Sequence, residues 1–135
     1  YEQSLTVKKG GRELLAALKN AHIPVALATS TAQASVLKEL KDAGIRDYFD
    51  QVICGDMVSH SKPHPEIFLT ACAALGAKPE KTIVIEDSYN GIRAAYAGGM
   101  MPVMVPDMLQ PTEEIEKMTI AVCESLLVVK EKMGL

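Results

Sequence analysis

The sequence contains no tryptophan, and aromatic residues make up only 4% of its 135 residues. It also has no run of lysine and arginine, and its formal net charge at pH 7 is −3. Nucleic-acid-binding domains rely on basic patches and on aromatic side chains that stack on bases, so we expect no nucleic-acid partner. No apolar stretch approaches the ~20 residues that a membrane-spanning helix needs, so we expect no membrane segment.

Cysteine is also scarce. The three cysteines, Cys54, Cys72 and Cys123, form no Cys-x-x-Cys pair. This pattern favours reduced thiols in a cytoplasmic protein over a disulfide framework. The chain lacks a signal-peptide pattern and an initiator methionine, so we expect a piece of a longer protein. Its 48% hydrophobic composition is typical of a globular chain, and we expect residues 1–135 to form a single domain.

Short apolar runs alternate with amphipathic stretches along the chain. The runs lie near residues 23–28, 52–54, 82–85 and 102–105, and segments with helical periodicity separate most of them. Alternation at this spacing predicts an α/β fold with βαβ units and a parallel sheet. Ligands of such folds bind beyond the carboxyl ends of the strands, so the residues at those ends are the candidates for function.

Hydroxyl groups follow the first predicted strand, at Thr29 and Ser30. Ser30 and Gln33 have the spacing of a capping box, which predicts that a helix begins there. A hydroxyl beside the N–H groups of a helix N-terminus also suits a phosphate group. The pattern is compatible with a cap alone and with a cap that also binds an anion.

Charged residues follow the next two strands. Lys62 lies in a loop where Pro63 restricts its backbone, so its ammonium group has a defined direction of approach. Glu86 and Asp87 directly follow the strand near residues 82–85. Two adjacent carboxylates repel one another unless a cation offsets them, and Mg²⁺ prefers oxygen ligands. Alternatively, Asp87 or Ser88 simply caps the next helix.

A hydroxyl, a lysine and an acidic pair in this order form a specific constellation. The segments 26–30, 55–68 and 83–95 resemble the second, third and fourth motifs of the haloacid dehalogenase superfamily. Within it they are most similar to the β-phosphoglucomutase-like phosphatases. The resemblance covers nearly the whole chain and implies a three-layer, Rossmann-like core with a parallel sheet.

The resemblance also implies a role for each matched residue. Thr29 would bind the transferring phosphoryl group through its hydroxyl, and Ser30 through its backbone N–H. Lys62 would bridge the phosphate and the nucleophile, and is the catalytic residue expected within this chain. Asp87 would bind Mg²⁺ directly, and Glu86 directly or through water.

The first motif of the family, Asp-x-Asp, is absent from the sequence. The aspartates are at positions 42, 47, 50, 56, 87 and 107. We therefore expect the nucleophile, the general acid and base, the first core strand and the cap domain to lie upstream of residue 1. The sheet would then be incomplete, and this chain alone should be inactive and prone to self-association through the exposed sheet.

The leading functional hypothesis is part of a Mg²⁺-dependent phosphatase for small phosphorylated metabolites, most plausibly sugar phosphates. A phosphomutase of the β-phosphoglucomutase type is the first alternative, and a non-catalytic protein that binds phosphate or a partner is the second. A phosphorelay receiver domain is disfavoured because receivers carry their acidic cluster before their lysine. The sequence does not identify the substrate.

Two further features suggest simpler interpretations. His60 and His64 have a spacing that can place two metal ligands on one helix, but Pro63 and Pro65 argue against a helix and no third ligand is evident. Exposed loop histidines are the expectation. Cys54 has no basic partner at a suitable spacing, so we expect a buried thiol rather than a nucleophile.

Overall fold

The computed structural model describes residues 10–107 and 109–135, which form an α/β fold. The helices are α1 (Gly11–Asn20), α2 (Gln33–Ala43), α3 (Glu66–Leu75), α4 (Tyr89–Ala97), α5 (Glu113–Met118) and α6 (Leu126–Lys132). The strands are β1 (Ala26–Ala28), β2 (Gln51–Ile53), β3 (Ile83–Glu86), β4 (Met101–Met104) and β5 (Ala121–Val122). Hydrophobic periodicity predicted the strands β1 to β4 and the helices α2 to α4 that separate them, but not α5 or β5, which are short and carry little periodic signal.

All strand pairs in the described residues are parallel, and they fall into two hydrogen-bonded groups. β1 pairs with β2, with Ala26 opposite Gln51 and Ala28 opposite Ile53. β3, β4 and β5 form the second group in that order. Within the described residues no backbone pairing joins β1 to β3. Among residues 10–107 and 109–135, β1 and β3 therefore each have one edge without a strand partner.

Helices cover both faces of the strands. One apolar cluster joins α3 and α4 to the strands, and its buried members are Ile53, Ile67, Phe68, Ala71, Cys72, Val84, Ala94, Ala95 and Met100. A second joins α1 and α6 to β4 through Leu14, Leu18, Val103, Cys123 and Val129. A third surrounds α2 and contains Val36, Leu40, Ile45 and Cys54.

Alternate side chains of one strand belong to different clusters. In β1, Ala26 and Ala28 pack against the α3–α4 cluster, whereas Leu27 packs against the α2 cluster. In β3, Val84 belongs to the α3–α4 cluster and Ile85 packs against the α1–α6 cluster. This alternation is the period-two geometry of a strand covered on both faces. It confirms the predicted three-layer α/β class.

Candidate active site at the strand ends

The loops that follow β1 and β2 are in direct contact. Thr29 donates its backbone N–H to the Ile53 carbonyl at 3.0 Å, and Gly55 donates to the Thr31 carbonyl at 3.1 Å. A Cβ atom at Gly55 would lie 2.1 Å from the Ser30 carbonyl oxygen. Only glycine allows this approach, because a neighbouring backbone atom cannot yield as a flexible side chain can. Gly55 therefore permits the two loops to form one wall of the crevice.

The capping box predicted for Ser30 and Gln33 is wrong. The helix α2 begins at Gln33, and Ala32 occupies its N-cap position without a side-chain hydrogen bond. The Gln33 N–H instead donates to both carboxylate oxygens of Asp56, at 3.3 Å each. A carboxylate from the loop after β2 thus accepts the free N–H at the positive end of α2. Residues 29–31 do not cap the helix because their backbone is hydrogen-bonded to β2 and the loop after it.

The Thr29 hydroxyl oxygen accepts a hydrogen bond from the Thr31 N–H at 3.2 Å. Since a hydroxyl both donates and accepts, the O–H proton of Thr29 remains available to a ligand. Ser30 lies farther along the same turn, where it lines a pocket of about 210 Å³. The other residues of this pocket are Gly55, Val58, Ser59, Ser61, Lys62 and Ile67. Ser30 and Lys62, two of the predicted site residues, therefore share one cavity.

Lys62 reaches from its loop to the end of β3. Its Nζ lies 2.5 Å from Glu86 Oε2, and the two side chains are only 15% and 11% exposed. The ammonium group also lies 4.9 Å from the centroid of the Phe68 ring, within cation–π range. Lys62 and Glu86, which are distant in sequence, thus form a largely buried ion pair at the carboxyl ends of the strands.

The second oxygen of the Glu86 carboxylate is held by the turn that leads into α4. Glu86 Oε1 accepts hydrogen bonds from the Asp87 N–H at 3.1 Å, the Ser88 N–H at 3.4 Å and the Ser88 hydroxyl at 3.2 Å. The Ser88 hydroxyl oxygen in turn accepts from the Gly91 N–H at 3.0 Å and caps α4. Ser88 is therefore the helix cap, one of the two residues that the sequence offered for that role.

Gly91 completes this arrangement because it leaves room for the Glu86 side chain. A Cβ atom at Gly91 would lie 2.1 Å from the carboxyl carbon of Glu86. Glu86 consequently packs directly against the first turn of α4, where the positive end of the helix favours its negative charge. The carboxylate is fixed by Lys62, by the turn and by the helix together.

Glu86 and Asp87 supply the hard oxygen donors that Mg²⁺ prefers, so the donor chemistry fits this ion. Both oxygens of Glu86 already accept hydrogen bonds, however. In the described chain no third histidine, cysteine or acidic residue joins the pair in a metal-binding group. Magnesium sites commonly use one or two carboxylates and complete their coordination shell with water and substrate phosphate. The carboxylates of Glu86 and Asp87 are therefore sufficient in number for such a site.

Two contributors to this region were not predicted from the sequence, Asp56 at the start of α2 and Glu66 at the start of α3. Glu66 accepts hydrogen bonds from the Ser59 N–H at 2.9 Å and the His60 N–H at 3.0 Å. These bonds, Ser59 foremost, together with the His60 ring, hold the pKa of Glu66 below its ordinary value. Glu66 thereby closes the loop that carries Lys62. The only feature of the sequence that pointed to this role of Glu66 was its position as an acidic residue directly after Pro65, in the first turn of a predicted helix.

Cys54 is fully buried at the end of β2. Burial raises the pKa of its thiol, and the neighbouring Asp56 carboxylate raises it further. Because the thiolate is the nucleophilic form of cysteine, this environment disfavours nucleophilic chemistry. Cys54 is thus the buried thiol that the sequence predicted.

The three-layer fold with parallel strands is Rossmann-like. Its lysine–glutamate pair lies at the carboxyl ends of the strands, which is where folds of this class bind their ligands. The chain belongs to the haloacid dehalogenase-like hydrolase family, whose sequence pattern matches residues 1–105. In the described residues no helix combines the length and apolar character needed to cross a bilayer.

Individual relatives agree with this assignment. The chain is 40% identical over 100 residues to the phosphorylated carbohydrates phosphatase of Thermotoga maritima, covering 74% of this chain and 46% of that protein. The crystal structure of CbbY from Rhodobacter sphaeroides in complex with phosphate is 34% identical with a TM-score of 0.79, covering 88% of this chain and 54% of that one. A β-phosphoglucomutase structure from Clostridium difficile is 31% identical with a TM-score of 0.75, covering 93% and 55%. The chain spans about half the length of the curated relatives it matches.

Proposed function

We propose that these residues are part of a Mg²⁺-dependent phosphatase that hydrolyses small phosphorylated carbohydrates through an aspartyl-phosphate. The observation that carries the proposal is the largely buried Lys62–Glu86 pair. The Lys62 side chain of this pair lines the same cavity as Ser30, so a phosphate there would meet a fixed positive charge. A cation held by a carboxylate beside helix and loop N–H groups suits a phosphoryl group in transfer. The Thermotoga relative, by its name, acts on phosphorylated carbohydrates.

The roles follow from the contacts of each side chain. Lys62 neutralises the charge that develops on the transferring phosphoryl group, and Glu86 fixes its position. The Thr29 hydroxyl donates its proton to a phosphoryl oxygen while its own oxygen remains bonded to Thr31. The backbone N–H of Ser30 adds a second donor to the same group.

Asp87 is the residue that would hold Mg²⁺ directly. Glu86 would act through a water molecule, because the turn and Lys62 already occupy both of its oxygens. When bound, the ion would offset the charge of the phosphate and of the nearby carboxylates.

The attacking aspartate is proposed to come from outside these 135 residues, since none of the six aspartates belongs to an Asp-x-Asp sequence. A phosphomutase is the second candidate activity, favoured by the resemblance to the Clostridium difficile β-phosphoglucomutase. A non-catalytic role in binding phosphate or a partner is the third. A phosphatase releases inorganic phosphate, a phosphomutase forms an isomeric sugar phosphate, and a non-catalytic protein forms no product.

The test is to join this chain to a segment that carries the family Asp-x-Asp strand and cap, taken from the Thermotoga maritima relative. We expect the chimera to release inorganic phosphate from hexose and hexitol phosphates when Mg²⁺ is present. The isolated chain should release none, because it offers no nucleophile. Conversion of β-glucose 1-phosphate to glucose 6-phosphate would identify the mutase.

The matched control is a chimera in which asparagine replaces the first aspartate of the motif. This variant should show no hydrolysis. Hydrolysis by the isolated chain would contradict the proposal, because the nucleophile would then lie within these residues. A folded chimera that neither hydrolyses nor isomerises phosphate esters would favour the non-catalytic alternative.

We further propose that the isolated chain self-associates through the unpaired edges of β1 and β3. Unpaired strand edges bind other strands, and Ile83 at the start of β3 is 37% exposed. Sedimentation velocity should show species heavier than 14.6 kDa that increase with concentration. The chimera supplies a strand for these edges and should sediment as a monomer. A chain that remains monomeric over the whole concentration range would refute this expectation.

A further inference from the structure

The loop that carries Lys62 brings together two histidines and a carboxylate outside the proposed active site. One potential ligand atom from each of His60, His64 and Glu66 lies within 4.8 Å of the others. The imidazole rings of His60 and His64 stack with their centroids 4.5 Å apart and their planes inclined by 21°. Pro65 lies between His64 and the start of α3, so Glu66 enters the group from the first turn of that helix.

We propose that His60, His64 and Glu66 bind a divalent transition-metal ion of the Zn²⁺ type. Imidazole nitrogen and carboxylate oxygen are the ligands of zinc and its neighbours, whereas Mg²⁺ prefers oxygen alone. Two histidines and one carboxylate leave the fourth tetrahedral position to water. This site is distinct from Glu86 and Asp87, and it does not depend on the proposed function.

The hydrogen bonds of the group indicate where the ion would bind. His60 Nδ1 lies 2.9 Å from Glu66 Oε1, so a proton is shared between the two atoms. His64 Nδ1 accepts the Glu66 N–H at 3.1 Å, so the lone pair of this neutral ring is engaged and the ion must displace that hydrogen bond to gain His64 as a ligand. An ion that replaces the shared proton would meet a nitrogen and an oxygen at once.

The rearrangement that this binding needs is small. Ligand atoms around tetrahedral zinc lie about 3.3 Å apart, given zinc–ligand bonds of roughly 2.0–2.1 Å. The outermost atoms of the group must therefore approach by about 1.5 Å. Rotation of the histidine side chains can supply this, because the His60 side chain is 65% exposed. The Glu66 oxygens are already held in place by the Ser59 and His60 N–H groups.

Competing thiol and imidazole ligands are few in the folded chain. The three cysteines are all buried, so their thiols do not face the solvent. The remaining histidine, His22, is exposed between α1 and β1 and provides a matched control.

The test is calorimetric titration of the full 135-residue chain with Zn²⁺, and with Ni²⁺ as a second probe, in buffer containing excess Mg²⁺. We expect one ion per chain, and a loss of affinity of at least about tenfold in His60→Gln and in His64→Gln. His22→Gln and Asp87→Asn should bind as the unmodified chain does. Circular dichroism confirms that each variant is folded.

Two results would overturn the proposal. One is the absence of saturable Zn²⁺ and Ni²⁺ binding to the unmodified chain. The other is unchanged binding in a folded double variant, His60→Gln with His64→Gln. Loss of binding in Asp87→Asn alone would likewise refute it, because the ion would then occupy the strand-end carboxylates. None of these outcomes depends on phosphatase activity, so the failure of one proposal is distinguishable from the failure of the other.

Discussion

Replacing Lys62 with methionine in the active chimera is expected to lower kcat by about 10²–10³-fold, the usual cost of removing one preorganised group that stabilises charge in a transition state. Methionine keeps most of the length of the aliphatic stem but removes the ammonium group, which contacts both Glu86 and the Phe68 ring. The protein should remain folded, because Glu86 retains its three hydrogen bonds from the turn before α4. Initial rates of phosphate release measure kcat, and circular dichroism monitors the fold.

Lys81→Met is the matched control. Lys81 is exposed and lies in the short turn before β3, away from the strand ends, so its replacement should leave kcat within about twofold. A second comparison is Lys62→Arg, which preserves charge but changes the shape of the donor and should recover only part of the rate. If Lys62→Met retains full activity, the ion pair with Glu86 is structural and the proposed role of Lys62 is wrong.

The second large effect is expected from Gly91→Ala. In most helices this substitution stabilises a protein by up to about 1 kcal/mol, because alanine is a better helix former than glycine. Here we expect the opposite sign, a loss of about 1–3 kcal/mol, since the new Cβ atom would overlap the Glu86 carboxyl group. Displacement of Glu86 should also disturb Lys62, and in the chimera the hydrolysis rate should fall with stability. Urea denaturation measures the change in the isolated chain.

Gly98→Ala tests whether this result comes from the site rather than from the helix. Gly98 ends α4 with a right-handed backbone, and the nearest atom to its added Cβ would be the terminal methyl of Met100 at 2.8 Å. That flexible methyl can move aside, so the variant should lose less than about 1 kcal/mol. Equal destabilisation by the two substitutions would show that the Glu86 contact is not what makes Gly91 necessary.

Much of the architecture was predictable because alternation and spacing are properties of the sequence itself. The run around Val84 and Ile85 predicted a strand covered on both faces, and the structure places these side chains in clusters on opposite sides of the sheet. The sequence also predicted that Lys62 and Glu86 lie at the carboxyl ends of parallel strands, along one edge of the sheet, but their direct ion pair is seen only in the structure.

What could not be predicted depends on contacts between segments that are distant in the chain. Ser30 has the sequence of a helix cap, but the partner of Gln33 is Asp56, which only the β1–β2 pairing brings to α2. The grouping of His60, His64 and Glu66 is local by contrast, and it depends on the backbone turn at Pro65, which the sequence pattern did not specify. Local patterns identify which residues are able to form a contact, and the fold decides which contact is formed.

The burial of Cys54, Cys72 and Cys123 gives the chain a practical property. A cysteine introduced on the surface would be the only thiol that reacts readily with a spin label or fluorophore. Lys38 on α2 and Lys117 on α5 are suitable positions, with side chains 78% and 74% exposed. α2 packs beside the β1–β2 pair, whereas α5 packs against α4 and β4 in the second strand group. The distance between labels at these two positions would measure the separation of the two strand groups. The same distance in the chimera would show how much that separation changes when an additional strand is supplied.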